Sequence, residues 1–134
     1  MIIIRLMQKL TAQRQAILDV INQSDTHWDA DGVADALKMN GTPVGIATVY
    51  RGLAALADQG LILSIQLSDK KRYERAGKAH HDHLVCTSCG AIEEFCKPEI
   101  ERLQDMVAQE RSFEIQGHQL LLFGRCSACQ QKGN

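Results

Sequence analysis

His80-His81-Asp82-His83-Leu84-Val85-Cys86-Thr87-Ser88-Cys89-Gly90 places three imidazoles, a carboxylate and a Cys-x-x-Cys pair in one continuous run. A second pair, Cys126-Ser127-Ala128-Cys129, stands near the end of the sequence. Zinc takes four ligands at the corners of a tetrahedron, and thiolates neutralise its charge. A two-residue spacer lets one tight turn present both sulfurs to one ion, and Gly90 suits the backbone path behind the first turn. Redox dithiols and unbonded buried cysteines are the plainer readings. Two pairs at closed-site spacing favour a structural zinc held by Cys86, Cys89, Cys126 and Cys129. Such a site clamps strands at 83–95 to the end of a strand at 112–124, so its removal is expected to unfold that part of the chain.

The histidine run has its own logic. In an extended segment alternate side chains share a face, so His81 and His83 point one way, and His80 and Asp82 the other. Two separate metal sites sharing one strand follow, with imidazole and carboxylate donors that suit first-row divalent ions. The plain reading is a solvated histidine cluster. Further ligands must come from elsewhere, and the candidates are His27, Glu74, Glu94, Glu101 and His118. Taken singly, each of these is more often surface or core than ligand. If His27 or Glu74 joins His81 and His83, the ion bridges two parts of the chain and fixes the angle between them across Ala76-Gly77-Lys78-Ala79, a short hinge-like segment.

Around that run the periodicity assigns an α+β chain. Strands are expected at 83–85 and 91–95. A helix starts at Pro98 with Ile100, Leu103, Met106 and Val107 on one apolar face, and a long strand runs over 112–124. Upstream, Thr11 caps a helix carrying Ile17, Leu18 and Ile21. Asp29 or Asp31 caps a second, with Val33, Ala34 and Leu37, that ends at Asn40-Gly41. A third begins near Ile46, with Ile46, Val49, Tyr50, Leu53, Leu56 and Ala57 at helical spacing and Gly60 as its stop. Leu61, Leu63, Ile65 and Leu67 then alternate as one face of a strand, Ser68-Asp69-Lys70 turns, and 71–75 returns. Three short helices followed by a hairpin form a winged helix-turn-helix.

Composition agrees with this division. The 134 residues are 45% apolar but only 4% aromatic, so the core rests on aliphatic side chains. A small core and five cysteines suggest help from a metal or from an oligomer partner. Net charge is −1, with nine Lys/Arg against eight Asp/Glu in residues 1–75 and six against eight thereafter. Any DNA contact therefore depends on a few placed cations rather than on a global field. On the third helix Thr48 and Arg51 share a face beside Tyr50, and Arg suits guanine or phosphate. Lys9 and Arg14 flank the first helix start and suit phosphate or the minor groove; ordinary surface charge is the plain alternative. Met1 to Ile4 is too short for a signal h-region, and no run is long enough to span a membrane, so a cytoplasmic protein with reduced thiols is expected. There is no Ser/His/Asp order, no G-x-S-x-G and no phosphate loop. An enzyme would have to be a zinc hydrolase using the histidines, and a metal-storage module is the other reading without DNA. Cys96, outside both pairs, reads as a small hydrophobe.

Together these features resemble the ferric uptake regulator family of bacterial repressors. The resemblance rests on Leu10-Thr11-Ala12-Gln13-Arg14, Ala47-Thr48-Val49-Tyr50-Arg51-Gly52-Leu53, Arg72-Tyr73-Glu74, the 80–90 run, Glu94-Phe95 and Phe123-Gly124-Arg125-Cys126-Ser127-Ala128-Cys129. It covers nearly the whole chain. It implies a winged-helix DNA-binding domain over 1–75, a hinge at 76–79 and an α/β dimerisation domain over 80–134. It implies a homodimer, which can pair into a tetramer, on double-stranded, palindromic, A/T-rich operator DNA. The regulatory ligands it implies are His27, Glu74, His81 and His83 with Glu94. A further site would use His80, Asp82, Glu101 and His118, and Lys9, Arg14, Thr48, Tyr50 and Arg51 would meet DNA. The subfamilies sense iron, zinc, manganese or peroxide. Glutamate at 74 and 94 disfavours peroxide sensing, and the His/Glu set favours Fe2+, with Mn2+ or Zn2+ as substitutes beside the structural Zn2+. Cys96 keeps a zinc-uptake regulator as the alternative.

Overall fold

The computed structural model describes residues 10–67 and 70–132, which separate into two compact units meeting between Gly77 and Lys78. In the first, α1 spans Ala12–Asn22, α2 Ala30–Met39 and α3 Ile46–Asp58, followed by the antiparallel hairpin β1 (Ile62–Leu67) and β2 (Lys70–Arg75). In the second, β3 (Asp82–Cys86) and β4 (Ile92–Phe95) form a hairpin, α4 spans Pro98–Glu110, β5 covers Leu121–Gly124, and the short α5 covers Ser127–Gln131. The second sheet has the order β4-β3-β5, with β5 parallel to β3.

The helix boundaries follow local chemistry. The Thr11 hydroxyl accepts from the Arg14 N–H at 3.1 Å, and the Asp29 carboxylate accepts from the Gly32 N–H at 2.6 Å. Each satisfies one of the donors a helix leaves open at its start. The first unit packs Ile17, Val20, Ile21, Val33, Leu37, Val49, Leu53 and Leu56 into one core with Ile62 and Tyr73. Gly52 suits its place inside α3, because a Cβ there would lie 2.6 Å from Ile17 Cδ1 and that side chain would have to shift. The absence of a Cβ lets α1 and α3 approach closely, which offsets the usual cost of glycine in a helix.

Three expectations change. On α3, Ile46 and Tyr50 leave the apolar stripe and are exposed, while Val49, Gly52, Leu53 and Leu56 are buried. The helix meets its neighbours along a strip narrower than its run of apolar residues. At the start of the hairpin, Leu61 before β1 and Leu63 on it are exposed, and Ile62 is the residue that reaches the helical core. Leu61-Ile62-Leu63 is apolar on both faces, so alternation cannot choose the inward side there. The long strand expected over 112–124 is regular only at Leu121–Gly124. Ser112 has a positive φ, and among the described residues no strand runs beside 113–120 to complete a ladder. Lys9 and the Ser68-Asp69 turn lie outside the described residues.

Candidate metal centres and nucleic-acid surface

The cysteine pairs converge. Cys86 ends β3, Cys89 lies in the turn after it, Cys126 caps α5 and Cys129 sits inside α5. The four sulfurs lie within 4.8 Å of one another, with Cys86–Cys129 and Cys89–Cys126 both at 3.8 Å. A tetrahedron with bonds of about 2.3 Å has edges of about 3.8 Å, so the donors are spaced for zinc-thiolate coordination. The backbone N–H groups of Cys126 (3.3 Å) and Cys89 (3.4 Å) point at the Cys86 sulfur and pull its thiol down to about 5. Contact with the Cys126 side chain, then with Cys86, pushes the Cys129 thiol up to about 12. One sulfur thus takes the negative charge and another keeps its proton. Four adjacent thiolates need a cation before all can ionise.

A second cluster gathers around His80 and Asp82. His80 Nε2 is 3.1 Å from both Glu101 Oε1 and His118 Nε2, and His118 Nε2 is 3.1 Å from Asp82 Oδ1. Two further edges are 3.6 Å for His80–Asp82 and 3.7 Å for His118–Glu101, and all four donors lie within 4.8 Å of one another. Coordination by nitrogen and oxygen at about 2.0–2.1 Å requires edges of about 3.3–3.4 Å, and the cluster spans that value. Asp82 is 1% exposed, and its Oδ2 finds no hydrogen-bond partner among the described residues. A carboxylate buried in that state is costly unless a cation meets it. The parts come from β3, from α4 and from the irregular segment before β5. Only the parallel placement of β5 on β3 brings His118 back to Asp82.

The other face of the run carries His81 and His83, whose rings meet edge to face with centroids 4.8 Å apart. His83 stands opposite Glu94 in the β3–β4 register, and His81 Nε2 lies 3.6 Å from Glu94 Oε2. In the first unit His27 Nε2 lies 2.8 Å from Glu74 Oε2, and Glu74 is 1% exposed. Their meeting has a backbone cause. Trp28 and Tyr73 exchange two hydrogen bonds of 2.7 Å, an isolated antiparallel bridge that sets residue 27 beside residue 74.

Sequence reasoning missed what surrounds that bridge. Arg72 Nη1 meets Asp29 Oδ2 at 3.3 Å, and Arg75 Nε meets Asp25 Oδ1 at 2.5 Å. His27–Glu74 is therefore bracketed by an ion pair on either side. The only sequence signal is complementary alternation, Asp25-x-His27-x-Asp29 against Arg72-x-Glu74-Arg75, and it becomes legible once the register is known. It also missed the Lys78–Glu94 ion pair, with Nζ 2.6 Å from Oε2. A lone lysine in a small-residue segment gives no signal for it.

On α3, Tyr50 and Arg51 are exposed, and the Arg51 guanidinium donates to the Thr48 hydroxyl at 3.1 Å. A cleft lined by Tyr50, Ala54, Gln66, Lys70, Lys71 and Arg72 separates this helix from the hairpin. Arg14, in the first turn of α1, is half-buried. No helix among the described residues is long and apolar enough to cross a membrane.

The family model described as "Ferric uptake regulator family" matches residues 6–123. This chain is a member of the ferric uptake regulator family. It is 42% identical over 127 residues to the ferric uptake regulation protein of Campylobacter upsaliensis, covering 92% of this chain and 81% of that one. The solved ferric uptake regulator of Francisella tularensis with iron superposes with a TM-score of 0.84 at 34% identity, covering 92% of this chain and 96% of that one. The Helicobacter pylori ferric uptake regulator, whose structure is described as revealing three functional metal binding sites, also gives 0.84, at 33% identity over 91% of this chain and 82% of that one.

As a ferric uptake regulator family member the chain is a metal-binding, DNA-binding transcription regulator of metal uptake, and not an enzyme. Its fold is the family's winged helix followed by an α/β domain. The hydrolase reading ends here.

Proposed function

We propose that this regulator represses iron-uptake genes as a cytoplasmic homodimer, binding a palindromic, A/T-rich operator when Fe(II) is engaged by His27, Glu74, His81, His83 and Glu94. The observation that carries this reading is a ligand set already half-assembled on each side of residues 76–79. His27 and Glu74 touch in the first unit, and His81, His83 and Glu94 gather on one face of the β3–β4 hairpin in the second. All five donors are imidazole nitrogen or carboxylate oxygen, which suits Fe(II) or Mn(II) better than a thiolate-rich set would. An ion that needs both halves fixes the hinge at 76–79, and with it the orientation of the winged helix in each half of the dimer.

Zn2+ at Cys86, Cys89, Cys126 and Cys129 supplies folding energy to the C-terminal domain. The cluster of His80, Asp82, Glu101 and His118 holds a further divalent ion. Tyr50 and Arg51, the latter braced by Thr48, read the major groove, while Lys9 and Arg14 hold phosphate.

The test is an anaerobic titration of operator binding with Fe(II), Mn(II) and Zn(II), on protein whose tight zinc has been quantified. Binding is expected to switch on with Fe(II) or Mn(II) while one zinc per chain is already present. Switching by trace Zn(II) alone would replace the iron reading by zinc uptake. The double variant His81→Ala/His83→Ala is expected to stay folded and lose the metal response; an undiminished response would overturn the ligand assignment.

A further inference from the structure

Lys78 opens the second unit and buries its ammonium. Its side chain is 7% exposed, and Nζ lies 2.6 Å from Glu94 Oε2. The same carboxylate oxygen lies 3.6 Å from His81 Nε2, and Glu94 faces His83 across the β3–β4 ladder. The ammonium therefore stands at the Glu94 oxygen that lies near His81, on the carboxylate that a divalent ion shared with His81 and His83 would engage. An ammonium at 2.6 Å and a dication at about 2.1 Å from one carboxylate repel each other strongly, and burial of the lysine weakens the screening that would relieve it.

We infer that Lys78 is an internal counter-cation of the regulatory site. It holds Glu94 while no divalent ion engages that carboxylate, and it must leave when one does. The inference rests on the proposed reading of Glu94 as a ligand. Two consequences follow from the geometry. Metal affinity is set below what the imidazoles and carboxylates alone would give, because binding includes breaking the Lys78–Glu94 pair. The displaced residue follows Gly77, whose φ of +89° places it in a conformation that favours glycine. Release of Lys78 thus acts on the backbone where the two units divide.

The experiment measures Mn(II) affinity by competition with a chelating fluorophore, using full-length protein with its cysteine site zinc-loaded. Lys78→Gln is expected to bind Mn(II) about three- to tenfold more tightly, the cost of breaking an ion pair whose carboxylate is still 30% exposed. Lys78→Arg, which keeps the cation, is expected to return close to wild type. Glu94→Gln is expected to bind more weakly. A purely structural role for Lys78 would give weaker binding in Lys78→Gln. Unchanged or weaker binding in Lys78→Gln, with Glu94→Gln weakened, would overturn the counter-cation and leave Glu94 as a ligand. Unchanged binding in Glu94→Gln would remove Glu94 from the ligand set and the counter-cation with it.

Discussion

The two units of this chain are held together by different physics. In the first, each of the three described helices buries at least three residues, and Ile17, Val33, Val49, Leu53 and Leu56 lose all contact with water. In the second, α4 buries none: Leu103 is 60% exposed, and Met106 and Val107 are each 53% exposed. What the second unit does bury is Val85 and Cys86 beside two polar groups, Asp82 and His83. The first unit has an apolar core sufficient for its size. The second has a small sheet, an exposed helix and clusters of metal-ligand side chains, so a bound metal ion or a partner over α4 would add what its own apolar core does not supply.

The harshest way to break that contrast is to remove the sulfur ligands. Cys86→Ser, or chelation of zinc, is expected to abolish folding of the second unit and leave the first intact. Metal coordination of this kind contributes on the order of 10 kcal/mol to folding, more than a unit with so little buried apolar surface can replace. Amide NMR is the readout. Resonances of 82–131 should collapse to random-coil positions while those of 12–67 keep their dispersion. A variant that keeps both sets dispersed would show that the C-terminal unit has a sufficient core after all.

The converse test attacks the apolar core. Leu53 is fully buried between α1 and its neighbours, and Leu53→Ala is expected to cost about 2–5 kcal/mol in urea unfolding. Zinc content should be unchanged, since no cysteine ligand belongs to that unit. A smaller perturbation sharpens the account of α4. Leu103→Ser with Met106→Ser removes apolar surface that the single chain leaves in water, so helix content should hold. On the homodimer reading, sedimentation should show the dimer dissociation constant raised by about tenfold or more, a change of at least about 1.4 kcal/mol. Loss of monomer stability without a change in association would instead place that face inside the unit.

The same contrast explains what could be read from sequence. The helix start at Thr11 and the stop at Gly60 were legible because capping is local chemistry, while the second helix start was narrowed only to Asp29 or Asp31, of which Asp29 is the cap. The grouping of the four cysteines was legible because Cys-x-x-Cys spacing fixes geometry within one turn. The alternation of His80 and Asp82 against His81 and His83 followed from strand period alone. Misreadings arose where distant partners decide the outcome. Leu61-Ile62-Leu63 offers apolar groups to both faces, and only packing against α1–α3 selects Ile62. Residues 113–120 have strand-like alternation, yet a ladder needs a neighbour, and the described part of this chain supplies none there. Ion pairs such as Arg72–Asp29 and Lys78–Glu94 are invisible until the register brings them together.

The smallest expected effect lies where the self-sufficient unit meets its own ligands. One Asp29 oxygen caps α2 through Gly32 at 2.6 Å and the other holds Arg72 at 3.3 Å, next to the bridge that aligns His27 with Glu74. Asp29→Ala loses both and is expected to cost about 1 kcal/mol for the cap, with little more from the ion pair, because Asp29 is 48% exposed and water screens it. Asp29→Asn keeps the cap and gives up the charge, so it should recover most of that loss in thermal unfolding. If Asn behaves like Ala, the charge on Asp29 outweighs its cap. The bracket of Arg72 and Arg75 around His27 and Glu74 would then be an electrostatic frame for that pair, and the line between a unit held by apolar packing and one held by charge would run through the first unit itself.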